Sequence, residues 1–171
     1  MPLADFDFLF GRWSIRNRAL CTRLRNAHDW REFDALLDCR RIGRLGNIAH
    51  FRTACDGMPL EGVSIRLYDP QNDRWNISWS DSPRAGALQP AITGSFAGST
   101  GAFYGNTIWE GRYVRVRLLW LRATHPHFEQ AFSLDNGRTW ETNWYMALSA
   151  CETRPAPGVV VASAAIPLRA T

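Results

Sequence analysis

The chain has 171 residues and a formal net charge of +4, and all 20 of its basic side chains are arginines. Without lysine it can form neither a Schiff base nor the lysine–phosphate contact of a P-loop, which excludes lysine aldolases, pyridoxal phosphate enzymes and P-loop nucleoside triphosphatases. Because the arginines alternate with acids instead of clustering, the charge pattern predicts no nucleic-acid partner.

The N-terminus and the cysteines indicate the compartment. The segment "MPLADFDFLFGRW" lacks the basic region, long apolar run and small-residue cleavage site of a signal peptide, and no stretch reaches the roughly 18 apolar residues that span a bilayer. We therefore expect a cytoplasmic protein with no membrane partner. The cysteines are scattered without C-x-x-C or zinc spacing, which predicts reduced thiols at Cys21, Cys39, Cys55 and Cys151. A Cys21–Cys39 bridge would require their strands to lie side by side.

After a short aromatic N-terminal segment, apolar and polar residues alternate through successive segments separated by turn sequences such as "CDGMP", "YDPQNDRW" and "WEGR". Alternation with period two is typical of antiparallel β-strands. We predict strands at 13–21, 32–41, 47–54, 62–68, 74–80, 91–97, 102–109, 112–122, 127–134 and 138–148.

These strands define the organisation of the chain. Helix signals are weak, with a turn or two at most around 21–30. About ten sequential strands must protect their edges, which a closed barrel or two packed sheets would do. We expect one domain over 1–149, followed at 150–171 by a C-terminal extension that is either loose or an added strand. The sequence leaves a monomer and a homodimer both open.

Alternation also assigns each residue to a face of the sheet. The arginines and acids fall on the outer wall, where cross-strand ladders add modest stability. The inner residues are mainly aromatic and aliphatic, and no carboxylate or histidine is assigned to the interior. The predicted inward set is Trp13, Ile15, Asn17, Ala19, Val63, Ile65, Leu67, Trp75, Ile77, Trp79, Val114, Val116, Leu118, Trp120, Phe128, Gln130, Phe132, Trp140, Thr142, Trp144, Met146 and Leu148.

One motif near the end of the chain suggests a glycosidase. The segment "SLDNGRTW", residues 133–140, matches the Asp-box pattern S-x-D-x-G-x-T-W of sialidases and other β-rich proteins. In this pattern the Ser and Asp side chains hold a hairpin turn, Gly137 takes a positive φ and Trp140 packs beneath. The box occurs once, without a blade-length repeat, and a glycosidase would also need two facing carboxylates in a cleft. We therefore predict a structural hairpin.

A second motif lies at the start of the predicted barrel. Gly11-Arg12-Trp13 is the G-x-W signature that opens the first strand of lipocalins and their calycin relatives. With "SIRLYDPQNDRWNISWSDS", "TGSFAGSTGAFYG" and "FEQAFSLDNGRTWETNWYM", the chain resembles a group of uncharacterised bacterial lipocalin-like proteins, akin to the DUF1579-type families, over residues 5–148. The resemblance implies an all-β, antiparallel up-and-down barrel with a short N-terminal helical segment as a lid on one end. It implies no particular activity.

An aromatic lumen with few polar groups is typical of a small-molecule pocket. We predict that a small, largely apolar or aromatic ligand binds there, between walls that include Trp79, Trp120 and Trp144. Trp13 is interpreted as an end-plug more than as a contact. Hydrogen bonds that orient the ligand are assigned to Asn17, Gln130 and Thr142. The alternative is that large rings fill the lumen as an ordinary core, which would leave the outer wall or the tail to meet a partner.

Catalysis in the same barrel is a further hypothesis. A cofactor-independent cyclase, isomerase or hydratase of secondary metabolism could fold a flexible apolar substrate into a reactive shape without many acids or bases. Gln130 or Tyr68 would then polarise a carbonyl group.

A haem site, as in the nitrobindins, is a less favoured hypothesis. It would need an inward histidine late in the chain, whereas alternation faces His125 and His127 outward. The same segment, "HPHFE", is too poor in ligands for a cupin-like metal site. We therefore predict neither a cofactor nor a metal.

Overall fold

The structure, a computed structural model, describes residues 2–55, 58–84 and 86–151. The described chain begins with two short 3-10 turns, Pro2–Ala4 and Asp7–Leu9, and continues as ten strands with a further 3-10 turn at Ser82–Arg84. The strands are β1 (Gly11–Leu20), β2 (Trp30–Ile42), β3 (Gly46–Cys55), β4 (Met58–Asp69), β5 (Arg74–Asp81), β6 (Ile92–Ala97), β7 (Thr100–Trp109), β8 (Arg112–Leu121), β9 (His127–Ser133) and β10 (Glu141–Ala150).

Each strand pairs antiparallel with the next, and β10 returns to pair with β1, so the sheet closes into a barrel. The closing register joins Trp13 to Ala150 and Ala19 to Trp144. Closure removes the free strand edges that would otherwise invite aggregation. The all-β, up-and-down barrel of ten strands is thereby confirmed for the described chain, as is the short helical segment at its N-terminus.

Three predictions outside the strands have different outcomes. The weak helix signal at 21–30 is wrong, because this stretch forms bends and turns. The predicted tail lies outside the described residues beyond Cys151. No helix of the described chain is long and apolar enough to cross a bilayer.

The N-terminal segment closes one end of the barrel. Phe6 is fully buried, and its ring centroid lies 5.0 Å from those of Trp75 and Phe96. The Trp13 indole Nε1 donates a hydrogen bond to the Leu9 carbonyl oxygen at 2.9 Å, which fixes the segment to β1. Trp13 therefore plugs this closed end, as its G-x-W position implies.

Alternation assigned the faces of β1, β8 and β9 correctly. On β1, residues 13, 15, 17 and 19 are buried, while the side chains between them are exposed. Arg16 forms ion pairs across the outer wall with Glu32 at 2.8 Å and Asp34 at 3.0 Å. Such exposed pairs add little to stability, and they belong to the wall and not to a site.

Strand β4 is turned the other way from the prediction. Val63, Ile65 and Leu67 face outward, with Leu67 40% exposed, while residues 62, 64 and 66 are buried. The cause is the neighbouring Trp79 on β5, because a Cβ atom on Gly62 would lie 2.2 Å from its ring. Gly62 faces the interior of β4 because the large indole ring occupies the adjacent space.

Strand β10 contains a bulge that reverses part of its predicted alternation. The register with β9 shifts between Thr142 and Trp144, so that Asn143 is the extra residue. Trp144, Met146 and Leu148 face inward as predicted, but Trp140 and Thr142 lie on the outer wall. The inward orientation predicted for these two residues is therefore wrong, since one inserted residue exchanges the two faces of a strand.

The Asp-box segment is a hairpin, as predicted. Ser133 Oγ accepts from the Gly137 amide at 2.8 Å, and the Asp135 carboxylate accepts from the Thr139 amide at 2.9 Å. Gly137 has a φ of +90°, and Trp140 lies directly beneath it. The motif stabilises a turn and places no group in the interior.

Three cysteines have described side chains, and all three are free thiols: Cys21, Cys39 and Cys151. Strands β1 and β2 are neighbours, but Cys39 pairs with Gly11 at one end while Cys21 follows Leu20 at the other. A Cys21–Cys39 bridge is therefore excluded by distance along the strands.

Candidate functional site

A cavity of about 390 Å³ occupies the half of the barrel away from the N-terminal segment. Aromatic rings dominate its wall: Phe51, Trp79, Trp109, Trp120, Phe128 and Trp144. Its lining also includes Cys21, Arg31, Pro90 and Asn106, which are exposed to solvent. The cavity therefore opens at the end opposite Phe6, which we call the open end.

Four of the predicted ligand-binding residues line this cavity: Trp79, Trp120, Gln130 and Trp144. Their contact with a ligand stays a prediction. Trp13 and Asn17 are buried elsewhere in the barrel interior, and Thr142 lies on the outer wall, where its hydroxyl donates to Glu129 Oε1 at 3.1 Å.

Asn17 positions a wall residue and does not itself line the cavity. Its Oδ1 accepts a hydrogen bond from Trp144 Nε1 at 3.0 Å, and its Nδ2 donates to the Phe33 carbonyl at 3.2 Å. Both polar ends of the side chain are therefore satisfied within the wall. Asn17 holds the Trp144 indole in place beside the cavity.

Gln130 is the predicted polar residue that does line the cavity. Its Nε2 donates to Asn143 Oδ1 at 2.9 Å, so the bulge residue of β10 orients the Gln130 amide. Among the described residues, nothing donates to the Gln130 carbonyl oxygen, which can therefore accept a hydrogen bond from a ligand.

An arginine that alternation placed outside lies in the interior. Arg66 is 4% exposed, lines the cavity, and approaches the Phe6 and Trp120 ring centroids at 5.3 and 5.5 Å. These contacts place it at the bottom of the cavity, next to the closed end, which we call the floor. The only sequence signal was Asn47, a polar residue at an inward position of the neighbouring strand, since β3 and β4 pair Asn47 with Arg66.

The floor is polar but carries no negative charge among the described residues. Arg66 Nη1 donates to Asn47 Oδ1 at 2.9 Å, and the same oxygen lies 3.7 Å from the Cys39 sulfur. Burial raises the pKa of the Cys39 thiol, which keeps it neutral, and burial lowers the pKa of Arg66. The buried Arg66 Nε has no hydrogen-bond partner in the described chain.

An interior carboxylate also contradicts the sequence expectation. Strand β5 continues one residue beyond the predicted 74–80, and Asp81 follows Trp79 on the inward face. Asp81 is buried, lines the cavity near the open end, and accepts a hydrogen bond from Trp79 Nε1 at 3.0 Å. In the pairing of β4 with β5, Asp81 lies opposite Gly62, and Ile77 lies opposite Arg66. Asp81 and Arg66 are therefore about 13 Å apart along the strands.

The histidines all lie outside the cavity. His28, His125 and His127 are exposed, and His50 lies 3.4 Å from Glu61 on the outer wall. No group of three potential metal ligands occurs among residues 2–55, 58–84 and 86–151. The outward orientation predicted for His125 and His127 is confirmed.

Tyr68 does not take part in the cavity either. Its hydroxyl donates to Asp73 at 2.6 Å beyond the closed end, and this hydrogen bond raises the pKa of Tyr68 to about 12. The role suggested for Tyr68 in polarising a substrate carbonyl is therefore wrong.

A scan against protein-family models and a search of curated proteins each found no match. Among solved structures, the chain is similar to Rv2717c from M. tuberculosis, with a TM-score of 0.58 and 11% sequence identity. The match covers 88% of this chain and 98% of that one. At this identity the similarity shows the fold alone, and with the closed ten-strand barrel it fits a calycin or lipocalin-like fold.

Proposed function

We propose that the barrel binds a small, largely apolar or aromatic molecule in its central cavity. The observation that carries this proposal is the cavity of about 390 Å³ in the open half, which lies within the range of small-molecule pockets. Protein interiors are close-packed and retain few voids larger than a water molecule. A lumen that served only as a core would be filled by its own rings, as the closed end is.

The wall offers both shape and orientation to such a ligand. Trp79 and Trp144 are each held by a hydrogen bond from the indole, to Asp81 and Asn17 respectively, so their rings are fixed before a ligand arrives. Fixed rings reduce the entropy lost on binding. Gln130 adds one acceptor for a ligand donor.

A second candidate function, catalysis in the same cavity, is favoured by Asp81. A buried carboxylate beside a substrate pocket can act as a general base. If the barrel isomerises, hydrates or cyclises its ligand, Asp81→Asn should abolish turnover while binding is retained, because Asn preserves the shape and removes the base. Mass spectrometry of apolar test compounds incubated with the protein measures this, and recovery of every compound unchanged contradicts it.

The binding proposal is tested with N-phenyl-1-naphthylamine, an uncharged dye that emits strongly in apolar surroundings. Ser64 lines the cavity from β4, so Ser64→Phe should fill part of it and weaken dye binding about tenfold or more. Ser14 faces solvent on β1, and Ser14→Phe is the matched control that should bind like the wild type. Equal binding by Ser64→Phe and Ser14→Phe would place the dye outside the lumen and overturn the proposal.

A further inference from the structure

The floor of the cavity contains a buried cation that the described chain does not neutralise. The contacts of Arg66 are one neutral amide, two aromatic rings and a neutral thiol nearby. An arginine remains charged in proteins. Burial of a charge without a partner is costly, and aromatic faces offset only part of that cost.

The hydrogen-bonding pattern shows which part of the guanidinium is available. Nη1 donates to Asn47 Oδ1, and Nε is enclosed by the protein without a hydrogen-bond partner, whereas Nη2 makes no hydrogen bond to a described residue. Nη2 is therefore the nitrogen that is left for a ligand. A guanidinium N–H forms a strong, charge-assisted hydrogen bond with a carboxylate oxygen.

Charged side chains of both signs also lie near the open end. Asp81 and Arg31 both line the cavity near that end, and each has further interactions. Arg23 also lines this region, but its guanidinium lies 4.7 Å from the centroid of the Trp109 ring and has other interactions. Arg31 is exposed to solvent, whereas Arg66 is buried, and an ion pair is stronger where water is excluded, so the floor is the better position for a negative charge.

We propose that the ligand is an amphipathic organic anion, whose carboxylate binds the Arg66 guanidinium at the floor while its apolar or aromatic body extends toward Trp79 and Trp144. This inference rests on the proposed function and adds the chemical class of the ligand. It assigns Arg66 as the residue that determines specificity. A neutral ligand of the same shape would leave the guanidinium unpaired and bind more weakly.

The test compares naphthalene-2-carboxylate with naphthalene-2-methanol, two probes with the same ring system, by calorimetric titration. The wild type should bind the carboxylate about tenfold or more tightly than the alcohol, since hydrogen bonds to charged groups are the stronger ones. In Arg66→Met the preference should reverse, because the carboxylate then loses its hydration without a partner. Arg66→Lys, which keeps the charge but not the planar guanidinium, should give an intermediate ratio of the two affinities.

Arg52 provides the matched control, because it is exposed on β3 and Arg52→Met changes the net charge by the same amount. This variant should keep the wild-type ratio. Equal affinities of the wild type for the two probes, or a carboxylate preference that survives in both Arg66 variants, would overturn the anion assignment and leave the cavity function standing. If neither probe binds and Ser64→Phe also leaves dye binding unchanged, both proposals fail together.

Discussion

At the closed end of the barrel aromatic rings fill the interior, whereas at the open end similar rings surround a cavity. Phe6 from the N-terminal segment lies among Trp75, Phe96, Phe103 and Trp120, with ring centroids 5.0 to 6.3 Å apart. At the open end, Trp79 and Trp144 line empty space. Residue type alone therefore does not separate a core from a pocket. The segment that inserts Phe6 makes the closed end solid.

Strand pairing adds to the difference between the ends. β5 pairs with β6 from Trp75 to Ile77, toward the closed end. Toward the open end, the Gln89 amide instead donates to the Trp79 carbonyl at 2.8 Å. Gln89 thus replaces a sheet neighbour at the rim, and Gln89 and Pro90 line the cavity.

The largest effect is expected from removing the plug of the closed end. Phe6→Ala deletes a fully buried ring and should lower the free energy of unfolding by about 3–5 kcal/mol. Phe33→Ala makes the same change on the wall of the cavity, where the ring is half-buried, and should cost about 1–2 kcal/mol. Urea unfolding of both variants measures the two values. Equal losses would mean that the two ends are packed alike.

Next in size is the effect of adding one methyl group beneath Trp79. Gly62→Ala places a Cβ 2.2 Å from that ring and should lower the free energy of unfolding by about 1–3 kcal/mol. When Trp79→Ala is also present, Gly62→Ala should cost much less, because the ring that the new Cβ atom would contact is absent. A double-mutant cycle by urea unfolding tests the coupling. Simple additivity of the two changes would contradict the proposed cause of the β4 orientation.

A smaller effect of opposite sign is expected at the cavity floor. Without ligand, Arg66→Met should raise the free energy of unfolding by about 1–2 kcal/mol, because it removes a buried charge that the described chain does not neutralise. The variant should gain less stability from naphthalene-2-carboxylate than the wild type does. Thermal unfolding with and without that probe measures both changes. A loss of several kcal/mol in the ligand-free variant would show that Arg66 is paired in the free protein.

The smallest effect concerns the Asp-box hairpin, outside both ends of the interior. Hydrogen bonds from Thr139 and Ser133 hold the pKa of Asp135 well below its usual range. A lowered pKa contributes stability that is present above the unfolded value of about 3.9 and is lost as the pH falls toward the folded value. Asp135→Asn should therefore be less stable than the wild type at pH 7, and this difference in stability should become smaller below pH 4. The midpoints of urea unfolding at several pH values measure the difference. A stability difference that does not change with pH would contradict this role of Asp135.

Alternation predicted the strands and most of the wall, and the resemblance to lipocalin-like proteins implied their closure into a barrel. The inward faces of β1, β5, β8 and β9 follow from alternation, since most of the inward residues there are apolar and no bulge interrupts their alternation. It failed on β4, where Gly62, Ser64 and Arg66 face inward, and where the Trp79 ring occupies the space next to Gly62 that a larger side chain would fill. Hydrophobicity along one strand carries no information about the size of a ring on the next.

Whether the other residues near the cavity could be predicted depended on details of strand pairing. The bulge at Asn143 exchanged the faces of Thr142 and Trp140, and no residue type in that segment marks a bulge. Asp81 was missed because the predicted strand ended one residue before it. Trp79, Trp120, Gln130 and Trp144 were placed correctly, since they lie on stretches where alternation and register agree.

The most direct measurement is a crystal structure of the protein grown with naphthalene-2-carboxylate. We expect the ring system inside the open half, between Trp79 and Trp144, and the carboxylate oxygens about 3 Å from the Arg66 guanidinium. The Phe6 plug should be unchanged. A probe bound on the outer wall, or an interior in which Trp79 and Trp144 have turned inward to fill the cavity, would contradict the division of the barrel into a solid end and a binding end.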